Sequence, residues 1–452
     1  MSIPIDHTEL HRTAKYFMDN GRASTHEEAI AILKTFGLVV HVGPELATSA
    51  LHQAALLTLV NLARRTLLNG VHVCGIPEGA ACVSKLSRAS SLADAVTELG
   101  GTIMSSPRSD WPQAMIGSAA SAIRPAWRVT WEGWRGGVVM TDHPAKLDET
   151  SGMELAPMLA GAVCAAEAFA FCAGDHLLAG RRAHGLSLWR PGQDWLISDP
   201  SEPRLAYLPS SLWIIGLGNL GQAFAWLLSA LPYDEQQKAT LVLQDFDRIA
   251  ASNDSTSPLS FRKDIGRRKG RVISDWLEER GFQTIVEERR FGDWIRRSPE
   301  EPRVALCGAD NALARTALEE AGFDLVVEAG LGAGPEAFRS LAMHTFPATR
   351  TAKEIWSRQI SDRAVSPESM PAYQQLKKAG MDSCGLAQLA SRTVGVPFVG
   401  LIAGCLAVSE LLRRLHGGIA LEYAAGSVLA LDDIECGSIE AEVYAFGHLP
   451  RT

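Results

Sequence analysis

LWIIGLGNLG, residues 212–221, decides the fold. An apolar run ends in Gly216, Gly218 and Gly221 at G-x-G-x-x-G spacing, and QAFAWLLSAL follows with helical character. The pattern predicts a strand turning into a helix whose N-terminus can hold a phosphate. The first glycine permits the turn, the second lets backbone approach the phosphates, and the third lets helix and strand pack closely. Reading outward, ATLVLQDFD is a second apolar strand ending in Asp245 and Asp247. RIAASN follows, with Ser252 and Asn253, and then Lys269 in the basic helix start GRRKGR. Further on, RVALCGADNALAR sets Asp310, Asn311 and Arg315 at the end of another strand. An NAD-dependent oxidoreductase accounts for the glycines and for Asp245, since an acid after the second strand binds a ribose hydroxyl. It leaves the D-F-D-x-x-x-x-S-N run, Lys269 and Asp310 unexplained. A carboxylate facing a lysine and a glycine loop suits Mg²⁺ on a triphosphate.

Over roughly residues 205–450 this constellation resembles the ubiquitin-activating enzymes and their bacterial relatives that activate sulfur-carrier proteins, the ThiF family. The resemblance implies ATP held by Gly216, Gly218 and Gly221, its ribose on Asp245, its phosphates on Lys269 and its Mg²⁺ on Asp310. Asn219, Asp247, Asn253 and Asn311 fall at the same nucleotide. It also implies acyl-adenylate formation, in which a partner protein's C-terminal carboxylate attacks the α-phosphate and displaces pyrophosphate. Such chemistry asks the protein mainly for positioning and charge neutralisation. One position departs from the family pattern. Thr256 stands where relatives carry an arginine, and a threonine cannot clamp phosphate bidentately. Arg262, Arg267 and Arg268 are candidates to compensate; relatives also often donate an arginine from the partner half, just before its first strand, and both Arg12 and Arg22 lie there.

Two long small-residue stretches organise the rest. Aligning Gly161 with Gly404 sets Glu167 on Glu410, in AGAVCAAEAF and AGCLAVSELL. Upstream, LVVHVGPEL (38–46), a helical stretch and GVHVCG (70–75) repeat the strand–helix–strand opening of the C-terminal half. The expected fold class is therefore α/β: two Rossmann-like halves in one chain, a pseudo-dimer, with a small cysteine-bearing insertion. The halves are not equivalent, because Gly43-Pro44-Glu45 replaces the glycine turn. Proline removes a donor and a glutamate beside a helix start repels phosphate. Residues 1–200 form the inactive half, 205–347 with 385–452 the active one, and 348–384 the cysteine segment.

Eight cysteines are scattered singly with no C-x-x-C, which argues against disulfides and against the paired-cysteine zinc clip of many sulfur-carrier activators. The family pattern places a thioester-forming cysteine between the active-half sheet and the final helix, and Cys384 alone occupies that interval. Cys164, Cys307 and Cys405 read as core residues, as do His41 and His72; Trp127, Trp131 and Trp134 read as one sheet face. With 452 residues and a net charge of −8, the chain gives no electrostatic reason to bind nucleic acid. The 17 uncharged residues 393–409 fall short of a membrane span, and Glu167 breaks the other apolar stretch. The expectation is a cytoplasmic enzyme that adenylates a ubiquitin-like protein, holds it on Cys384 and passes it to a conjugating enzyme. A sulfur carrier or peptide activated without Cys384 is the close alternative; an oxidoreductase or an inactive scaffold are the distant ones. A built-in second half removes one reason to form a homodimer without forbidding it.

Overall fold

A computed structural model describes residues 6–121, 123–234, 239–357, 370–440 and 447–450. Helices α1 (Arg12–Asp19) and α2 (His26–Leu33) precede the first sheet. Its strands are β1 (Gly37–Val42), β2 (Gly70–Cys74), β3 (Thr102–Ile103), β4 (Gln113–Ile116), β5 (Ala126–Glu132), β6 (Arg135–Met140) and β7 (His184–Ser187). Helices α3 (Ala50–Ala63), α4 (Leu92–Glu98) and α5 (Leu155–Ala173) connect them. The short strand β8 (Tyr207–Pro209) leads to the second sheet. That sheet holds β9 (Ser211–Ile215), β10 (Thr240–Gln244), β11 (Gln283–Glu287), β12 (Val304–Cys307), β13 (Leu325–Leu331), β14 (Ser340–Phe346), β15 (Leu421–Ser427) and β16 (Ala430–Ser438). Between them run α6 (Asn219–Ala230), α7 (Lys269–Glu278), α8 (Ala312–Thr316), α9 (Gly334–Ala337), α10 (Ala352–Trp356), α11 (Pro371–Lys378), α12 (Ser383–Ser391) and α13 (Pro397–Leu415). Strand β17 (His448–Pro450) pairs with β8.

The two sheets share one topology. The first runs β3-β2-β1-β4-β5-β6-β7 and the second β11-β10-β9-β12-β13-β14-β15-β16. In each, the first five strands are parallel and the following ones antiparallel. Strand order therefore reverses at β1/β4 and again at β9/β12, the crevices where such sheets take ligands. The central strands β1, β4, β9, β10 and β12 are buried on both faces, so they read as continuous apolar runs rather than alternating ones.

The repeat holds at residue level. The stretches aligned on Gly161 and Gly404 are α5 and α13, which pack against each other and against α3 and α6 between the sheets. A methyl group on Gly161 would lie 2.7 Å from the Ala55 carbonyl of α3; on Gly404 it would lie 3.0 Å from Leu227 of α6. Each glycine lets its helix approach the one that follows the first strand of its own half. The aligned acids also match in use. Glu167 accepts from Arg182 at 2.7 Å and from the Gly180 N–H at 3.3 Å, while Glu410 accepts from Arg413 and from the Leu421 N–H at 3.1 Å. Helix α5 is long and apolar enough to cross a bilayer, but it lies buried inside the fold. Trp127, Trp131 and Trp134 are buried.

Contacts across the halves are polar as well as apolar. Arg65, 1% exposed, leaves the end of α3 and donates at 2.9 Å to the carbonyls of Pro258 and Ser260. Arg64 pairs with Asp254 at 2.9 Å. His184 of β7 hydrogen-bonds the Val428 carbonyl at 2.7 Å.

Candidate functional site

The crevice between β9 and β12 is built by its glycines. Gly216 turns with φ +81°, a conformation L side chains avoid, and a Cβ there would press on Ala309 at 3.0 Å. A methyl group on Gly221 would sit 1.9 Å from the Gly216 carbonyl. Gly218 differs: a Cβ there would meet nothing within 4 Å, so this face of the turn is open at the start of α6. An open backbone at a helix N-terminus is where a phosphate fits.

The acids after β10 brace that turn. The Asp245 carboxylate accepts from the Leu217 N–H and from the Asp247 N–H, both at 2.7 Å. Lys269, first residue of α7 and buried, donates to Asp247 at 3.0 Å. Asn253 caps a short 3₁₀ turn, accepting from the Ala250 N–H at 2.9 Å. Across the crevice, Asp310 is exposed after β12, and Asn311 caps α8 by accepting from the Leu313 N–H at 2.9 Å.

Two expected nucleotide contacts have other uses. Asn219 donates its amide to the carbonyls of Gly395 (2.7 Å) and Val396 (3.1 Å), holding the chain that enters α13 across the start of α6. Asn311 is spent on its cap. Both are polar groups at a helix start, where backbone competes with ligand for them.

The N-terminal segment completes the crevice. Ser252 donates its N–H to the Thr8 carbonyl at 2.8 Å, and the Arg12 N–H donates to Ser255 Oγ at 3.0 Å. Arg12 is 5% exposed and its Nη1 has no hydrogen-bond partner among the described residues. Burial, then repulsion from Arg392 against attraction from Asp310, brings its pKa down to about 10. Arg22, by contrast, is exposed and lies over the Phe17 ring at 5.0 Å. Of the two arginines before β1, the fold brings Arg12 to Asp310.

Arg392 is the residue that sequence reasoning passed over. Its signal was its place as the last charge before the uncharged run 393–409. It caps the C-terminus of α12, and Cys384 is the second residue of that helix, about 12 Å away along the axis. Cys384 is the one exposed cysteine of the eight, and its Sγ accepts from Gln388 at 3.5 Å. Burial pushes the Cys307 thiol up to about 12 and that of the half-buried Cys172 up to about 11. Residues 358–369 of the cysteine segment lie outside the described residues. No group of three metal-binding side chains occurs among the described residues.

The first half's crevice is filled from within. Glu45 turns back so that Cβ atoms on Gly43 or Gly117 would meet its Oε2 at 2.3 and 2.4 Å. Its carboxylate accepts from the Ser118 N–H at 3.1 Å. Burial opposes that charge, but the backbone N–H groups outweigh it and hold the pKa below the ordinary range. A carboxylate thus lies between the ends of β1 and β4, in the position where the open crevice lies between β9 and β12.

Residues 37–188 match the family model for the BilD N-terminal domain and residues 208–418 that for the BilD C-terminal domain. The bacterial E1-like protein BilD of Collimonas sp. (strain OK412) is 60% identical over 450 residues, 99% of this chain and 97% of that one. Among solved structures, E. coli MccB with ATP overlaps 51% of this chain and 62% of its own at 14% identity and a TM-score of 0.34. E. coli tRNA N6-threonylcarbamoyladenosine dehydratase, TcdA, with ATP overlaps 46% and 86% at 14% identity and a TM-score of 0.31. With two matching half-models and a relative identical at three positions in five along nearly its whole length, the chain belongs to the bacterial E1-like BilD family.

Proposed function

We propose that this protein activates the C-terminus of a ubiquitin-like protein with ATP and then takes it onto Cys384. The observation that carries the reading is Arg12. A guanidinium from the N-terminal half lies buried, its Nη1 without a hydrogen-bond partner among the described residues, and Asp310 at the end of β12 acts on its charge. A buried charge without a partner is costly, and an anionic ligand in the crevice would supply the partner. The membership of an E1-like family supports the reaction class.

In this reading the α6 N-terminus and the Gly218 backbone hold a phosphate, Asp245 holds the ribose and Lys269 lies behind Asp247, where it fixes the loop's charge. Asp310, exposed and facing Arg12, would hold Mg²⁺, which neutralises phosphate oxygens. Arg12 stabilises charge on the α-phosphate as a carboxylate oxygen of the partner tail forms its bond to phosphorus and the bond to pyrophosphate breaks. Cys384, as thiolate, then attacks the acyl carbon, and AMP leaves with the bonding electron pair. The thiol is accessible to a protein tail, and the next step would hand the tail to a conjugating enzyme.

ATP–pyrophosphate exchange that depends on added ubiquitin-like protein tests the first step. Arg12→Ala should lower it about 100-fold or more, whereas Arg22→Ala should leave it within a few-fold. Cys384→Ala should keep exchange and lose a thiol-sensitive adduct. Exchange that persists in Arg12→Ala would remove the argument for this crevice.

A further inference from the structure

We propose that Arg392 is a second guanidinium of the nucleotide site, engaging the polyphosphate beyond the phosphate held at the glycine turn, in the place that Thr256 leaves without a cation. The inference rests on the reading of the β9/β12 crevice as an ATP site.

Placement comes first. The chain that follows Arg392 is drawn over the crevice by Asn219, which donates to the carbonyls of Gly395 and Val396. A Cβ on Gly395 would lie 3.8 Å from Asn219 Nδ2 and equally 3.8 Å from Thr256 Cγ2. The chain at Gly395, three residues after Arg392, thus runs between the start of α6 and Thr256. Thr256 itself is nearly buried, with its hydroxyl near Ser257 Oγ at 3.1 Å, and brings no charge.

Charge comes second. Arg392 and Arg12 repel each other, and both also act against protonation of His7, whose pKa is lowered by burial first and then, against the pull of Asp6, by these two arginines. The carboxylates that face the group are Asp310 towards Arg12, and Asp6 and Asp382 towards His7. Arg392 is exposed, its backbone N–H donates to the Leu389 carbonyl at 3.4 Å, and its guanidinium makes no hydrogen bond or ion pair among the described residues. Two guanidinia that act on each other, one preceding the segment Asn219 holds across the start of α6 and the other with a buried Nη1 that has no partner among the described residues, complement an anion with more than one phosphate. Exposure of Arg392 also means that its loss should cost the fold little.

The test separates polyphosphate contacts from the rest of the site. Calorimetric titration of the full chain with ATP and with AMP, in Mg²⁺ buffer, is run for the native protein, Arg392→Ala and Arg392→Lys. Arg392→Ala should weaken ATP about 10- to 100-fold and leave AMP within about twofold, because a monophosphate reaches only the turn. Arg392→Lys, which keeps the charge but not the fork, should recover part of the loss. Unchanged ATP affinity in Arg392→Ala, or equal losses for ATP and AMP, overturns the assignment of Arg392 and leaves the crevice intact as a nucleotide site. A native protein that takes up neither nucleotide overturns the crevice reading itself.

Discussion

Gly221 and Gly218 look alike in the sequence and differ in what surrounds them. A methyl group at 221 would strike the Gly216 carbonyl, a backbone atom that cannot step aside, whereas at 218 it would project into open space. Gly221→Ala should therefore destabilise the protein by about 1–3 kcal/mol, read as a lower denaturant midpoint. Gly218→Ala should leave stability nearly unchanged and weaken nucleotide binding, because the methyl group enters the space a phosphate needs. The glycine motif and the acids of the D-F-D run were legible because their chemistry is local to one turn. Arg12 and Arg22 were not separable that way. Both precede β1, and only the docking of Thr8 and Arg12 onto residues 252–255 distinguishes them. Arg392 was harder still, since the charge it acts on, Arg12, belongs to α1, and the chain after it packs on Asn219 and Thr256, none of them near it in sequence.

Helices α5 and α13 make the comparison one level up. Their alignment on Gly161 and Gly404 was readable because both are long runs of small residues with one acid at a fixed place. The reason for those features is tertiary: close approach to α3 or α6, and a carboxylate that anchors the chain returning to the sheet. The two glycines should nevertheless respond differently to alanine. At Gly161 the new methyl group meets the backbone carbonyl of Ala55, so Gly161→Ala should lower the melting temperature. At Gly404 it meets the flexible end of Leu227, and the helix gains roughly 1 kcal/mol of propensity. Gly404→Ala should come out near neutral. A larger loss at 404 than at 161 would mean that α13 is the tighter of the two interfaces. In the cysteine segment 348–384 lie α10, α11 and the first residues of α12, with 358–369 outside the described residues.

At the scale of the molecule, the two sheets are bound by buried polar contacts as well as by the four central helices, so unfolding should be a single transition. Two histidines at the junction make that transition sensitive to acid. Burial, followed by the nearby His26, brings the His11 pKa to about 4, and burial above all lowers that of His184. Both imidazoles are neutral in the fold, so their contribution is complete above the unfolded value near 6.5. It is lost as pH falls from there towards 4, because the unfolded chain binds the protons first. His11 alone accounts for a loss of about 3 kcal/mol at most across that window. Urea titrations at pH 7 and pH 5 should show the native protein weakened at the lower value, and His11→Gln should reduce the difference. A stability curve flat from pH 7 to 4.5 would contradict the burial of these side chains.

Glu45 gives the duplicated sheet a ligand of its own that never dissociates. Tandem symmetry would suggest two nucleotides per polypeptide, yet one of the two seats is occupied by a covalent tenant. Titration should therefore saturate at a single equivalent of ATP, and the thermal upshift that ATP confers should be traceable to the C-terminal seat alone. Swapping Glu45 for glycine vacates the other seat without furnishing it with an Arg12 or an Asp310, so the count should stay at one.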